Sequence, residues 1–176
     1  MQQDANNILT VRNLEVTFGT TAVLHDVSFD LKEGERVAIV GQSGSGKSTT
    51  IGAILRLLPG NGRITHGSIN LAGEELATAS EAAMRTIRGK RVGLVPQDPM
   101  SNLNPSMKVG AQIADALMSN GVKGSAEIRR RAVALMTEAG IPDADRRYGQ
   151  YPHEFSGGMR QRVLIAISLA GEPDLL

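Results

Sequence analysis

The sequence predicts an α/β fold, and two adjoining stretches predict it. A short apolar run, Val37-Ala38-Ile39-Val40, leads into a glycine-rich loop from Gly41 to Ser48. After the loop, Ile51, Ile54, Leu55 and Leu58 recur at i, i+3, i+4 and i+7. The run suits a strand buried on both faces, and the spacing suits a helix with one apolar face. Strand, loop and helix in that order make a βα unit. With 176 residues the chain has the size of one domain, or of part of a larger one.

The remaining elements follow in order. Ile8 to Arg12 and Leu14 to Phe18 read as strand pieces, with a turn at Gly19-Thr20-Thr21 and further β structure at Val23-Leu24 and Val27 to Leu31. Pro59-Gly60 is expected to end the helix that follows the glycine loop. A strand is predicted at Ser68 to Leu71, a helix from Ala79 to Arg88, and a second buried strand from Arg91 to Val95. Gln97 to Pro105 is a punctuated loop. Helices are expected near 109–119 and 126–139, the second with Ser125 as N-cap and Gly140 just past its end. Ser156-Gly157-Gly158 opens a last helix, whose Val163, Ala166, Ile167 and Ala170 share one face. The stretch 106–158 looks like a helical insert between α/β elements.

Composition removes several function classes. The chain has no Cys, so disulfides, cysteine zinc sites and thiol catalysis are absent from it. Its 19 basic and 18 acidic residues nearly cancel, and 3 Phe and 2 Tyr with no Trp make a poor base-stacking surface. The polar start, Met1 to Asn7, has no signal-peptide character, and the apolar stretch Val163 to Ala170 falls well short of the roughly 20 residues that span a bilayer. His25, His66 and His153 share no metal-ligand spacing. Asp98 and Asp174, each beside a proline, read as turn residues, and Arg85, Arg88, Lys90 and Arg91 as a solvated face. Gly is the outlier, at 20 residues against a usual ~7%.

The glycines concentrate where the chemistry is. Gly41-Gln42-Ser43-Gly44-Ser45-Gly46-Lys47-Ser48 matches G-x-x-x-x-G-K-[ST] in its required setting, after a strand and before a helix. A triphosphate is densely negative, and backbone N–H groups at a helix start satisfy it only if the chain wraps closely, which glycine permits. Lys47 is expected to neutralise the β- and γ-phosphates, and the Ser48 hydroxyl to hold Mg²⁺. The motif predicts a nucleotide, not a task. Two further pieces stand in a fixed order behind it: Gln97, and the helix start Ser156-Gly157-Gly158-Met159.

In that order the chain, from about Leu9 to Leu176, resembles the nucleotide-binding subunit of an ATP-binding cassette (ABC) transporter. The resemblance implies a P-loop NTPase fold with an antiparallel β part at about 8–35 and a P-loop core over 36–100. A helical subdomain at about 106–158 would follow, then the signature helix and the start of the next strand over 159–176. It places Phe18 on adenine, Gly41 to Ser48 and Thr49 around the phosphates of ATP, and Gln97 where Mg²⁺ and the γ-phosphate are sensed. Ser156 to Met159 match the signature usually written Leu-Ser-Gly-Gly-Gln, with Phe155 for the leucine and Met159 for the glutamine. These departures, with Gln97 to Pro105 and Tyr151 to Phe155, resemble the dipeptide, oligopeptide and nickel importer branch.

The resemblance further implies a second nucleotide-binding domain bound head to tail, transmembrane permease subunits, indirectly a substrate-binding protein, and a place on the cytoplasmic face of the membrane. The Asp and Glu that in the family hold Mg²⁺ and activate water come after the point where this sequence stops. The 176 residues alone are therefore expected to bind ATP without turning it over. Two rival readings remain, an ABC-type ATPase acting on nucleic acid and a non-hydrolytic nucleotide-binding module. Charge, aromatic content and the absence of Cys count against the first.

Overall fold

A computed structural model describes residues 7–176. The chain divides between Arg85 and Thr86 into two compact units. The first carries strands β1 (Asn7–Phe18) and β2 (Thr21–Lys32), helix α1 (Lys47–Ile54), and strands β3 (Gly62–Leu71) and β4 (Glu74–Glu75). The strands form one antiparallel sheet in the order β2-β1-β3-β4.

The two strand pieces expected on either side of Asn13 are one strand with a bulge. Leu9 and Val11 are buried, and so are Leu14 and Val16, so the buried face changes phase at Asn13. Asn13 has φ 46° and Asp26 across from it has φ 49°. The Asn13 N–H donates to Ser28 Oγ at 2.8 Å and its amide to Asp26 Oδ1 at 2.5 Å. On the third strand Gly67 has φ 95°, and a Cβ there would lie 2.5 Å from the carbonyl oxygens of Arg12 and Asn13. Three strands thus kink together, and the extra residue lets both apolar pairs reach one core.

Three expectations fail in this unit. Val37 to Val40 is not a strand; Val37, Ile39 and Val40 are 46%, 42% and 87% exposed. A run suited to the middle of a sheet takes strand form only when neighbours complete its hydrogen-bond ladder, and no described residue pairs with it. Helix α1 stops at Ile54, well before Pro59. Arg56 takes φ 52°, its N–H donates to Ala53 O at 3.0 Å, and that of Leu57 donates to Gly52 O at 2.7 Å. This is a Schellman closure with arginine in the place glycine usually takes. The Arg56 guanidinium bonds the carbonyls of Leu76 and Ala79, an anchor that holds the strained residue. Leu58 therefore leaves the helix, and Ile51, expected on the apolar face, is 44% exposed.

Helix α2 (Glu81–Ile87) leads into the second unit, which holds α3 (Pro99–Asn102), α4 (Val109–Ser119), α5 (Ser125–Glu138), α6 (Ala144–Arg147), a 3₁₀ turn at Pro152–Glu154, and α7 (Gly157–Leu169). Its core gathers Ile113 and Leu117 from α4, Met136 from α5, Val163 and Ala166 from α7, and Phe155. Gln112 is buried among them with its amide fully used. It accepts from Asn104 N at 2.9 Å and donates to the carbonyls of Asn104 and Met107, both at 3.0 Å.

Two more expectations are corrected here. Arg91 to Val95 makes only isolated bridges, Val92 pairing with Arg88 and with Leu175, and Leu94 is 43% exposed. It too lacks a continuous partner strand among the described residues. Ser125 is the first residue of α5 rather than its cap; Gly124, with φ 88°, takes the cap position and makes no side-chain bond. Gly140 does sit just past the helix end, with φ 80°. Arg129, Arg130 and Arg131 form the exposed face expected of them, paired with Asp145, Glu127 and Glu172.

Candidate functional site

The glycine loop lies in the first unit. Gly46 is the N-cap of α1 with φ 88° and has no side chain with which to cap it. The first turn therefore presents backbone N–H groups that no cap satisfies, and it contains no acidic residue. A Cβ at Gly46 would run into the Leu24 side chain of β2, so both backbone and packing require glycine. The Lys47 ammonium curls back over the loop and donates to Gly41 O at 2.8 Å, Gln42 O at 2.7 Å and Ser45 Oγ at 3.4 Å. Thr50 closes the turn, its hydroxyl donating to Gly46 O at 3.1 Å, while Ser48 stays exposed. Uncapped N–H groups, a cation folded over the loop and an exposed hydroxyl fit a phosphate group with its Mg²⁺.

Phe18 closes β1, opposite Thr21 and Gly62. Its ring covers Gly62 so closely that a Cβ there would sit 2.7 Å from it. The ring is half-buried, which leaves part of it accessible.

Gln97 and Ser156 to Met159 belong to the second unit. Gln97 lies in an exposed bend. Asp98 caps α3, accepting from Met100 N at 2.9 Å and from the Ser101 hydroxyl, and these bonds hold its carboxyl below the ordinary carboxylate range. Its turn role stands. Asp174 is likewise occupied, by Arg91 Nε at 2.8 Å.

Ser156 caps α7, its hydroxyl accepting from Met159 N at 3.4 Å. Phe155 before it is buried in the core, with the Arg147 guanidinium 5.8 Å from its ring centroid. Gly157 and Gly158 are exposed, and a Cβ on either would meet nothing within 4 Å. One residue escaped the sequence reading. The half-buried Gln161 donates from Nε2 to Pro96 O at 3.1 Å, beside Gln97. A lone Gln inside a helix carries no local signal; only its position about one and a half turns beyond Ser156 could have drawn notice. Among the described residues, no group of three His, Asp or Glu could hold a metal.

A family model described as "ABC transporter" matches residues 24–176. The chain belongs to the ABC transporter family. Its ABC relatives include the oligopeptide transport ATP-binding protein OppD of Bacillus subtilis, 45% identical over 174 residues, which cover 96% of this chain and 49% of that protein. The dipeptide transport ATP-binding protein DppD of the same organism is 44% identical, over 96% and 52% of the two chains. OppD of Escherichia coli is 42% identical, over 99% and 53%. The chain thus spans about half the length of the curated relatives it matches.

Among solved structures it is similar to the dimeric bacterial ABC transporter cassette MJ0796, with a TM-score of 0.80 and 29% identity over 94% of this chain and 70% of that one. CbiO1 of Clostridium perfringens matches with a TM-score of 0.81 and 27% identity, over 96% and 63%. The α/β cassette fold implied by the resemblance is the fold of the solved cassettes that the chain matches. No described helix is long and apolar enough to cross a membrane.

Proposed function

We propose that the chain is the nucleotide-binding part of the ATPase subunit of an ABC importer for di- or oligopeptides. The loop from Gly41 to Ser48 carries the reading, because its helix start is uncapped while Lys47 supplies a cation to the same loop. Support for the peptide class comes from three relatives whose names state oligopeptide or dipeptide transport.

In this reading the N–H groups of the first turn of α1 hold the phosphates of ATP, and Lys47 leaves its carbonyl partners to neutralise the β- and γ-phosphates. The Ser48 hydroxyl would hold Mg²⁺, and the ion would supply positive charge to the phosphates. Phe18 supplies an aromatic face for adenine. Gln97 senses the metal and the γ-phosphate. The helix start at Ser156 to Met159 serves the nucleotide of a second, head-to-tail copy, as the dimeric state of the similar cassette supports.

The glycines there support the same role. Among the described residues neither packing nor φ demands Gly157 or Gly158. A close approach from outside the chain accounts for them. Permease subunits and the cytoplasmic membrane face complete the reading, and hydrolysis requires a water-activating carboxylate that Asp98, already committed as a cap, does not supply.

The test is a thermal melt of the protein expressed from its natural reading frame. Mg-ATP at a hundredfold excess over Kd should stabilise it by about 2.7 kcal/mol. Lys47→Ala should remove most of that shift. Equal shifts in both proteins would remove Lys47 from the site, and no shift in either would overturn the nucleotide reading.

A further inference from the structure

The segment from Gly93 to Met100 is laid along α7 and fastened at several points. The Ser168 hydroxyl donates to Leu94 O at 2.6 Å, and a Cβ at Gly93 would sit 2.6 Å from Ser168 O. Gln161 Nε2 donates to Pro96 O at 3.1 Å. Arg160 reaches Met100 Sδ, and its Nε donates at 2.7 Å to Pro152 O, in the turn that leads into Ser156. Gln97, in the middle of this segment, makes no side-chain hydrogen bond among the described residues. Its position is thus set by its neighbours.

We propose that Gln161 is a positioning residue for Gln97, acting through the Pro96 carbonyl. The inference rests on the reading of Gln97 given above. The Pro96 carbonyl and the Gln97 N–H belong to one planar peptide unit, so holding the oxygen fixes the plane from which Gln97 departs. Of the side chains that fasten the segment, only Gln161 grips the peptide unit joined to Gln97. Ser168 acts two carbonyls upstream, and Arg160 acts beyond the bend. Gln161 also stands five residues into the helix that Ser156 caps, about 7.5 Å along its axis. A helix is stiff over one and a half turns, so a displacement of the Ser156 end carries Pro96 and Gln97 with it. The signature end of α7 and the sensing loop of the same copy therefore move as one piece.

The test is a double-mutant cycle on ATP hydrolysis by the protein from its natural reading frame, assembled with its membrane partners. Gln161→Leu removes the donor, and Gln161→Glu is nearly isosteric and replaces the donor with an acceptor facing a carbonyl. Both should lower kcat roughly 10- to 100-fold, the usual cost of misplacing a reacting group by about 1 Å. KM for ATP should stay within about twofold, because the phosphate loop lies on α1, and the Mg²⁺ concentration for half-maximal rate should rise. In a Gln97→Ala background the same substitutions should cost less than about twofold, since the residue they position is gone. A merely structural role would lower the melting temperature and multiply the Gln97→Ala loss without moving the Mg²⁺ dependence. Independent, multiplying losses, or full activity of Gln161→Glu, would overturn the proposal alone. A fully active Gln97→Ala protein would overturn both the reading of Gln97 and the proposal built on it.

Discussion

Helices α1 and α7 both begin at glycines, and they solve the problem of an open helix start in opposite ways. At α1 the cap is Gly46, forced by φ 88° and by the Leu24 side chain, and no side chain satisfies the first turn. At α7 the cap is Ser156, which occupies one N–H with its own hydroxyl, and the glycines that follow stand in open space. The first start is shaped from within by the strand beside it. At the second, nothing among the described residues requires the glycines. In the proposed reading the first is a cradle built by its own unit, and the second a surface kept bare for a second copy.

The sharpest way to break this contrast is to obstruct the bare surface. Ser156→Arg should leave ATP binding by the single copy near normal and abolish ATP-driven dimerisation, because a bulky cation would fill the space before the helix start. Light scattering on a hydrolysis-blocked background checks this, and undiminished dimers would reduce Ser156 to an ordinary N-cap.

A smaller effect distinguishes the two kinds of glycine directly. Gly46→Ala should cost about 2–4 kcal/mol, combining the left-handed backbone with overlap on Leu24. Gly158→Ala, at a position with room and ordinary φ, should leave the fold unchanged or stabilise it by up to about 1 kcal/mol while weakening the dimer. Urea melts of both variants decide between the cases, and a large loss in Gly158→Ala would show that an internal contact requires that glycine.

The smallest expected effect lies on the solvated face of α5. Hydrogen bonds from Arg130 and Arg131 hold the Glu127 carboxyl down from 4.5 to about 2. A carboxyl lowered in the folded state contributes stability that is present above its unfolded value and is lost as pH falls towards the folded one. Glu127→Gln should therefore flatten slightly the acid dependence of stability between about pH 4.5 and 2, and do nothing measurable near neutrality. A nuclear magnetic resonance titration of Glu127 with a midpoint near 4.5 would show the pairs to be too solvated to matter.

The residues that were readable from the sequence are those whose chemistry is local. Gly41 to Ser48 needed no partner to stand out, since spacing, glycine content and the helix that follows all lie within about twenty consecutive residues. The cap at Ser156 and the helices at Val109–Ser119 and Ser125–Glu138 are local in the same sense, as 3.6-residue periodicity and end signals suffice for them. Other features depend on residues far apart in the chain. Val37 to Val40 has the composition of a buried strand, but strand form is a property of a pair, and no described residue supplies the other half. Helix α1 ends at Ile54 rather than at Pro59 because Arg56 finds carbonyls 20 and 23 residues further on. Asn13 bulges because Asp26 and Gly67 yield with it. Gln161 meets Pro96 across 65 residues of sequence, a distance over which composition and spacing carry no information and only folding brings two groups together.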